Sequence, residues 1–334
     1  MTFAFTRRFA ASLRHLVLAI SVASPCAAQS LPTLHGAVQF ADEHTFTKTL
    51  VKFAELAQKY AGTKLNFVLH KNSELGSEKD YFGYMNQGIS VDYAIVSPSH
   101  MSTFAKSAPI MDMPFLFRDR DHWRKVIAAG ALAPLAAEVQ KKADVMILGY
   151  AGGGVRNLIV NKPVRNMKEL AGLSLRVMGA PIQTRIFQAV GAAPTVISYQ
   201  EIYNGIQTGV IQAAENEALG IEQMKFYEVG PHISLTQHAI TVRPVCFSGK
   251  TFRRLPKNVQ DALVRAGKEA AEYGRTLESA EDEQRLKALE TAGKLKTYPF
   301  ADRPRLLQLA DPIKRTYAKD VGAEAVLNAI DAIK

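Results

Sequence analysis

Two arginines stand where this chain could hold an anion. Arg176 closes the strand-like run Leu173-Ser174-Leu175, and Arg156 follows the triplet Gly152-Gly153-Gly154. A planar guanidinium meets a carboxylate through two parallel hydrogen bonds, and strand ends in α/β sheets face ligand crevices. Spacing alone leaves solvated surface arginines as the competing reading. Covalent chemistry has no comparable foothold. There is no G-x-S-x-G, H-E-x-x-H, P-loop or paired-cysteine metal motif, and the eight histidines form no ligand pair at helical spacing. The glycine triplet lacks G-x-G-x-x-G spacing and runs on into Arg156-Asn157-Leu158-Ile159, which reads as strand. A tight turn beside a cleft is expected there, with no cofactor, no metal and no catalysis.

The elements that must position these arginines belong to an exported chain. Arg7, Arg8 and Arg14 precede the apolar run 16–23, and small residues follow up to Ala28. A positive start, a short apolar core and a small-x-small site spell a secretory signal peptide. The run is shorter than the ~20 residues of a membrane span. Cleavage is expected near Ala28; a lipid anchor at Cys26 is disfavoured by Pro25. Without the signal, Cys246 is alone, so no internal disulfide forms and the fold relies on its core. The whole chain carries 41 Lys+Arg against 31 Asp+Glu. The basic residues are scattered, so they mildly favour anions rather than mark a nucleic-acid surface.

Strand and helix signals alternate along the mature chain. Strands are predicted over 34–40, 65–69, 91–96, 146–150, 157–161 and 173–177, and helices over 45–60 and from Gly76-Ser77-Glu78 onward. Asn166 with Glu169, and Ser198 with Glu201, have capping-box spacing. This rhythm predicts a mainly parallel sheet covered by helices. The β-rich stretch 238–247 could cross between two lobes. A helical pattern from Pro256 to about Ala292 exceeds ordinary helix length and suits a helix spanning both. Cys246, Met111, Met113, Phe115 and Phe117 read as packing residues, and Trp123 as core or as an anchor on a lobe surface.

Several segments then become specific: Ser73-Glu74-Leu75-Gly76-Ser77-Glu78, Asp112-Met113-Pro114-Phe115-Leu116-Phe117, Gly172-Leu173-Ser174-Leu175-Arg176-Val177 and Gly191-Ala192-Ala193-Pro194-Thr195. They continue with the run 201–210, Glu215-Asn216 and Lys225-Phe226-Tyr227-Glu228-Val229. In order and separation they resemble the solute-binding subunit of tripartite ATP-independent periplasmic (TRAP) transporters, the DctP-type family, from about His35 to Tyr317. The resemblance implies a two-lobed α/β periplasmic binding fold with a hinge, crossing strands and a long helix spanning both lobes. The division it suggests is a signal peptide at 1–28, a first lobe of 29–153 with 242–281, and a second of 154–241 with 282–334. It implies Arg176 as the bidentate anchor of a ligand carboxylate, Arg156 as a second arginine, Asn216 as a polar contact and Tyr199 as a wall for the carbon skeleton. Gln39 and Ser97 would complete the cage from the first lobe.

Of the remaining candidates, Glu215 is expected to orient an arginine, Glu217 to lie in the pocket or on the surface, and His44 to touch the ligand or cap a surface helix. The partners implied are a small organic acid and two membrane subunits, small and large, with no nucleic acid and a monomeric receptor in the periplasm. The chain departs from the family pattern at Ala151-Gly152-Gly153, Met178-Gly179 and Glu217. The small residues are expected to widen the pocket. Uronates or aldonates, C4-dicarboxylates and aromatic or keto acids all stay open, with the polar candidates favouring a hydroxylated acid. A receptor feeding a sensor system would share every residue named, and a carboxylate-processing enzyme is the remaining alternative.

Overall fold

The computed structural model describes residues 1–2 and 32–334. The signal cleavage site near Ala28 and the alternative anchor at Cys26 lie outside the described residues. Nine strands make one sheet: β1 (Thr33–Ala37), β2 (Asn66–His70), β3 (Tyr93–Ile95), β4 (Val145–Val160), β5 (Ser174–Val177), β6 (Ala193–Val196), β7 (Ala213–Asn216), β8 (His232–Ser248) and β9 (Lys296–Pro299). Their order is β2-β1-β3-β8-β4-β7-β5-β6, with β9 beside β8. The outer groups, β2-β1-β3 and β7-β5-β6, are internally parallel. Between them run β4 and β8, long strands paired antiparallel to each other. The sheet is therefore mixed, where a mainly parallel one was expected. Parallel βαβ units build its flanks, and two long antiparallel strands join them.

One expectation fails at the glycine triplet. Gly152-Gly153-Gly154 is no turn: the two strands predicted over 146–150 and 157–161 are the single 16-residue strand β4. Its register against β8 slips between Gly152 and Val155, so the strand bulges without ending. Gly152 and Gly153 have φ of 113° and 117°, which side chains rarely adopt. The slip leaves backbone N–H groups without ladder partners, and a buried donor left unpaired is costly. The long helix supplies the acceptors. Gly154 N donates to Glu278 Oε1 at 3.0 Å and Val155 N to Asp282 Oδ2 at 2.8 Å.

That helix, Lys257–Thr291, runs about 50 Å at 1.5 Å per residue. Pro256 precedes it, as the sequence suggested. Its first half buries Val259, Leu263, Ala266, Ala270 and Ala271 against the helix Thr45–Ala61 and against β4. Four-residue steps then bring Gly274, Glu278 and Asp282 onto the β4 bulge. No side chain could replace Gly274 without meeting Ala151 and Thr49. The glycines of β4 serve the same close approach. A β-carbon on Gly153 would meet Ser279 and Trp123, and one on Gly154 would meet Glu278 and Glu217. The small residues thus let the helix and Glu217 close in, and do not widen a pocket. The remaining core expectations stand: Cys246, Met111, Met113, Phe115, Phe117 and Trp123 are buried. Among the described residues no helix is long and apolar enough to cross a membrane.

Candidate functional site

Arg176 points from β5, with its neighbours Leu175 and Val177 in the core behind it. It is 2% exposed. Its Nε donates to the Ile197 carbonyl at 3.1 Å, and its guanidinium lies 5.8 Å from the Tyr199 ring centre. Among the described residues its two terminal nitrogens make no hydrogen bond and no carboxylate pairs with it. Burial pulls its pKa down to about 10, opposed by Glu215 and aided by Arg156, so the group stays cationic at neutral pH. A buried cation with free, coplanar donors is costly unless an anion completes it.

Arg156 sits in a different environment. Its Nε and Nη2 meet Glu215 Oε2 and Oε1 at 2.5 and 3.0 Å, Nη2 also donates to the Glu215 carbonyl at 2.9 Å, and Nη1 donates to Glu217 Oε2 at 2.6 Å. Of its five N–H donors one remains. Burial would raise the Glu215 carboxyl, but Arg156 and His238 outweigh it and hold it at about 2. Glu215 therefore orients an arginine, and Glu217 is buried in the same knot. Arg156 pairs with both and offsets one of their two charges, so they repel an incoming carboxylate less than free ones would.

Asn216, on β7, donates through Nδ2 to the Tyr199 hydroxyl at 2.7 Å, and its Oδ1 accepts from Glu217 N. The hydroxyl hydrogen of Tyr199 is left to donate elsewhere. Gly220 packs so closely on Asn216 and Tyr199 that a side chain there would displace both. Burial raises the Tyr199 pKa well above the ordinary phenol range, so the group remains a neutral donor. Ser198 and Glu201 form the predicted capping box just before this tyrosine's helix.

The opposite wall comes from the other end of the sheet. Gln39 Nε2 donates to Glu78 Oε1 at 3.0 Å, and Ser97 N donates to Glu78 Oε2 at 2.6 Å. Ser97 Oγ donates to Asp112, which also accepts from Ser99 N and Oγ. Ser97 is thus fully engaged in holding two carboxylates. His44 is buried, not at the surface. It stacks on Phe40 with ring centres 3.8 Å apart, its Nδ1 accepts from Phe46 N as the helix N-cap, and its Nε2 has no partner among the described residues. Gln39, Glu78, His100, Ile197, Tyr199 and Gln200 line a cleft of about 350 Å³ between the two walls, within the range of small-molecule sites.

Sequence reasoning missed Arg243 on β8. It is buried 4.0 Å from Glu78 and 5.2 Å from the Phe46 ring centre, with Nε unpartnered. One signal was available, because Arg243 is the single permanent charge inside the apolar stretch 238–247. It also missed His100, whose pKa burial lowers to about 4 despite Glu78, and Asp112 as a site-supporting carboxylate. Among the described residues no group of histidines, cysteines and carboxylates is arranged to hold a metal.

Comparisons with known proteins fit this architecture. The family profile described as bacterial extracellular solute-binding protein, family 7 (DctP), matches residues 36–320. A solute-binding protein of Sulfitobacter sp. (strain NAS-14.1) is 51% identical over 306 residues, covering 91% of this chain and 92% of that protein. The 2,3-diketo-L-gulonate-binding periplasmic protein of Escherichia coli K12 is 28% identical over 321 residues, 95% of this chain and 96% of that one. A crystal structure of a TRAP periplasmic solute-binding protein from Sulfitobacter sp. NAS-14.1 with bound α-D-taluronate superposes with a TM-score of 0.88 at 50% identity, covering 90% of this chain and 97% of that chain. The chain accordingly belongs to family 7 of the bacterial extracellular solute-binding proteins, as a two-lobed, non-catalytic receptor of the TRAP type.

Proposed function

We infer that this receptor captures a hexuronate or a closely similar hydroxylated monocarboxylate and hands it to the small and large membrane subunits of a TRAP transporter. The observation that carries the reading is Arg176, a buried guanidinium whose terminal donors are unengaged beside Tyr199. The taluronate bound by the half-identical Sulfitobacter protein supports the ligand class. The last free donor of Arg156, the Tyr199 hydroxyl, Asn216, Gln39 and His44 would surround the ligand, while Ser97, Glu215 and Glu217 hold its neighbours in place. Lobe boundaries at 153/154 and 241/242 on the crossing strands, with the return at 281/282 on the long helix, suit a hinge at the β4 bulge. The arginine-rich start up to Ala28 suits export to the periplasm as a cleaved monomer.

Titration calorimetry with D-taluronate, D-galacturonate, D-glucuronate and succinate tests this reading. A hexuronate should bind, and Arg176→Ala should weaken it about a hundredfold or more. Two charged hydrogen bonds are together worth ~3 kcal/mol, and 1.4 kcal/mol is tenfold. Arg176→Lys should recover little, since an ammonium cannot form the planar fork. Preference for succinate, or unchanged affinity in Arg176→Ala, would overturn the assignment.

A further inference from the structure

We propose that His44 and Arg243 form a second pole of the cavity that reads acceptor oxygens on the tail of a ligand carrying one carboxylate only. The proposal rests on the hydroxylated-monocarboxylate reading above and names how the far end of that ligand is recognised.

The two poles are linked by ring contacts. The Arg176 guanidinium lies 5.8 Å from the Tyr199 ring centre, and Tyr199 meets Phe40 edge-on at 5.7 Å. Phe40 stacks on His44 at 3.8 Å, His44 lies 4.6 Å from Phe46, and Arg243 sits over Phe46 at 5.2 Å. These rings pack on one another as a continuous buried layer that joins the two poles, with Tyr199 the member that lines the cleft.

The chemistry of the second pole is narrow. His44 Nδ1 accepts from Phe46 N, so in the neutral ring the proton resides on Nε2, which is buried without a partner. Arg243 Nε is likewise a buried donor without a partner. Both offer hydrogens and neither can accept one, so the matching groups are hydroxyl or carbonyl oxygens. An ammonium would find no acceptor on either. Charge sets the second limit. Arg243 faces Glu78 at 4.0 Å, and Arg156 is engaged by Glu215 and Glu217, whereas among the described residues Arg176 has no carboxylate partner. The three arginines are balanced by Glu78, Glu215 and Glu217, so a single ligand carboxylate can pair directly only with Arg176. A second would lie near Glu78 with no free positive charge to meet it.

Calorimetry on the mature protein, with hexuronates, the C6 dicarboxylate galactarate and a series of monodeoxy hexuronates, tests this. Hexuronate should bind at least a hundredfold more tightly than galactarate. One monodeoxy analogue should lose about tenfold against the wild type, and His44→Phe or Arg243→Met should no longer distinguish that analogue from its parent. Arg243→Gln and His44→Gln provide the same reading if either variant fails to fold by circular dichroism. Galactarate binding as tightly as hexuronate, or variants that discriminate every deoxy analogue as the wild type does, would overturn the second pole. If no hexuronate binds but a keto or hydroxy monocarboxylate does, with the same variant pattern, the hexuronate assignment falls and the second pole stands.

Discussion

Asp112 shows how the site's supporting residues tie binding to stability. Burial pushes its carboxyl up to about 6, although Ser97 and Ser99 donate to it. The unfolded group titrates near 3.8. Below about pH 4 both states hold the proton, and between 4 and 6 only the folded state does, so stability falls as pH rises through that window. At 1.36 kcal/mol per unit the loss is about 3 kcal/mol. Glu215 acts in the opposite sense. Held at about 2 by Arg156 and His238 against burial, it adds stability above its ordinary 4.5 that disappears as pH falls towards 2. His100, lowered to about 4, gains stability with pH over the same window, so the test is the difference: from about pH 4 to 6 the melting temperature of the wild type should fall relative to that of Asp112→Asn. Identical slopes in both proteins would show that Asp112 is not the titrating group.

At the scale of elements, alternation and capping made the flanks legible. Helix Thr45–Ala61 and helix Glu78–Gln87 begin where their N-cap residues His44 and Ser77 indicated. What the sequence concealed was long-range. A glycine triplet inside a strand looks like a turn, because the reason for it, a helix 120 residues further on, leaves no local trace. Arg176 could be found because it ends a strand, but Arg243 gives no sign that its partner is Glu78. The clamp on β4 also yields a contrast. Asp282 accepts from Val155 N, Ala218 N and Arg120. Asp282→Ala should cost ~2–4 kcal/mol, since three donors lose their partner. Glu278 is pushed well above the usual carboxylate range by burial and by Glu217, and a glutamine there keeps an oxygen that can accept from Gly154 N. Glu278→Gln should change urea-unfolding stability by less than about 1 kcal/mol. Equal losses in the two variants would refute the clamp.

For the whole molecule, the two proposed lobes share an apolar core, and a small set of hydrogen bonds adds to it near the cleft. Gln183 donates to Ser99 Oγ and to the Asp112 carbonyl, each at 3.3 Å; Gln200 donates to Ser73 Oγ at 2.7 Å; Ser102 donates to the Gly179 carbonyl at 3.2 Å. These join 29–153 to 154–241, those of Gln200 and Ser102 beside the cleft and those of Gln183 in the interior, while β4, β8 and the long helix join them covalently. A neutral hydrogen bond contributes ~0.5–1.5 kcal/mol net, so these bonds add modestly to the apolar packing that joins the halves, and a ligand touching both walls would add to the same closed state. Apparent affinity scales with the population of the state competent to bind. Gln183→Ala with Gln200→Ala removes three of these bonds without touching either pole, and should lower hexuronate affinity about tenfold. Small-angle scattering should show the wild type compacting as ligand is added, with the double variant needing correspondingly more ligand to reach the same radius. An unchanged affinity, or a radius insensitive to ligand, would mean that these bonds play no part in closure.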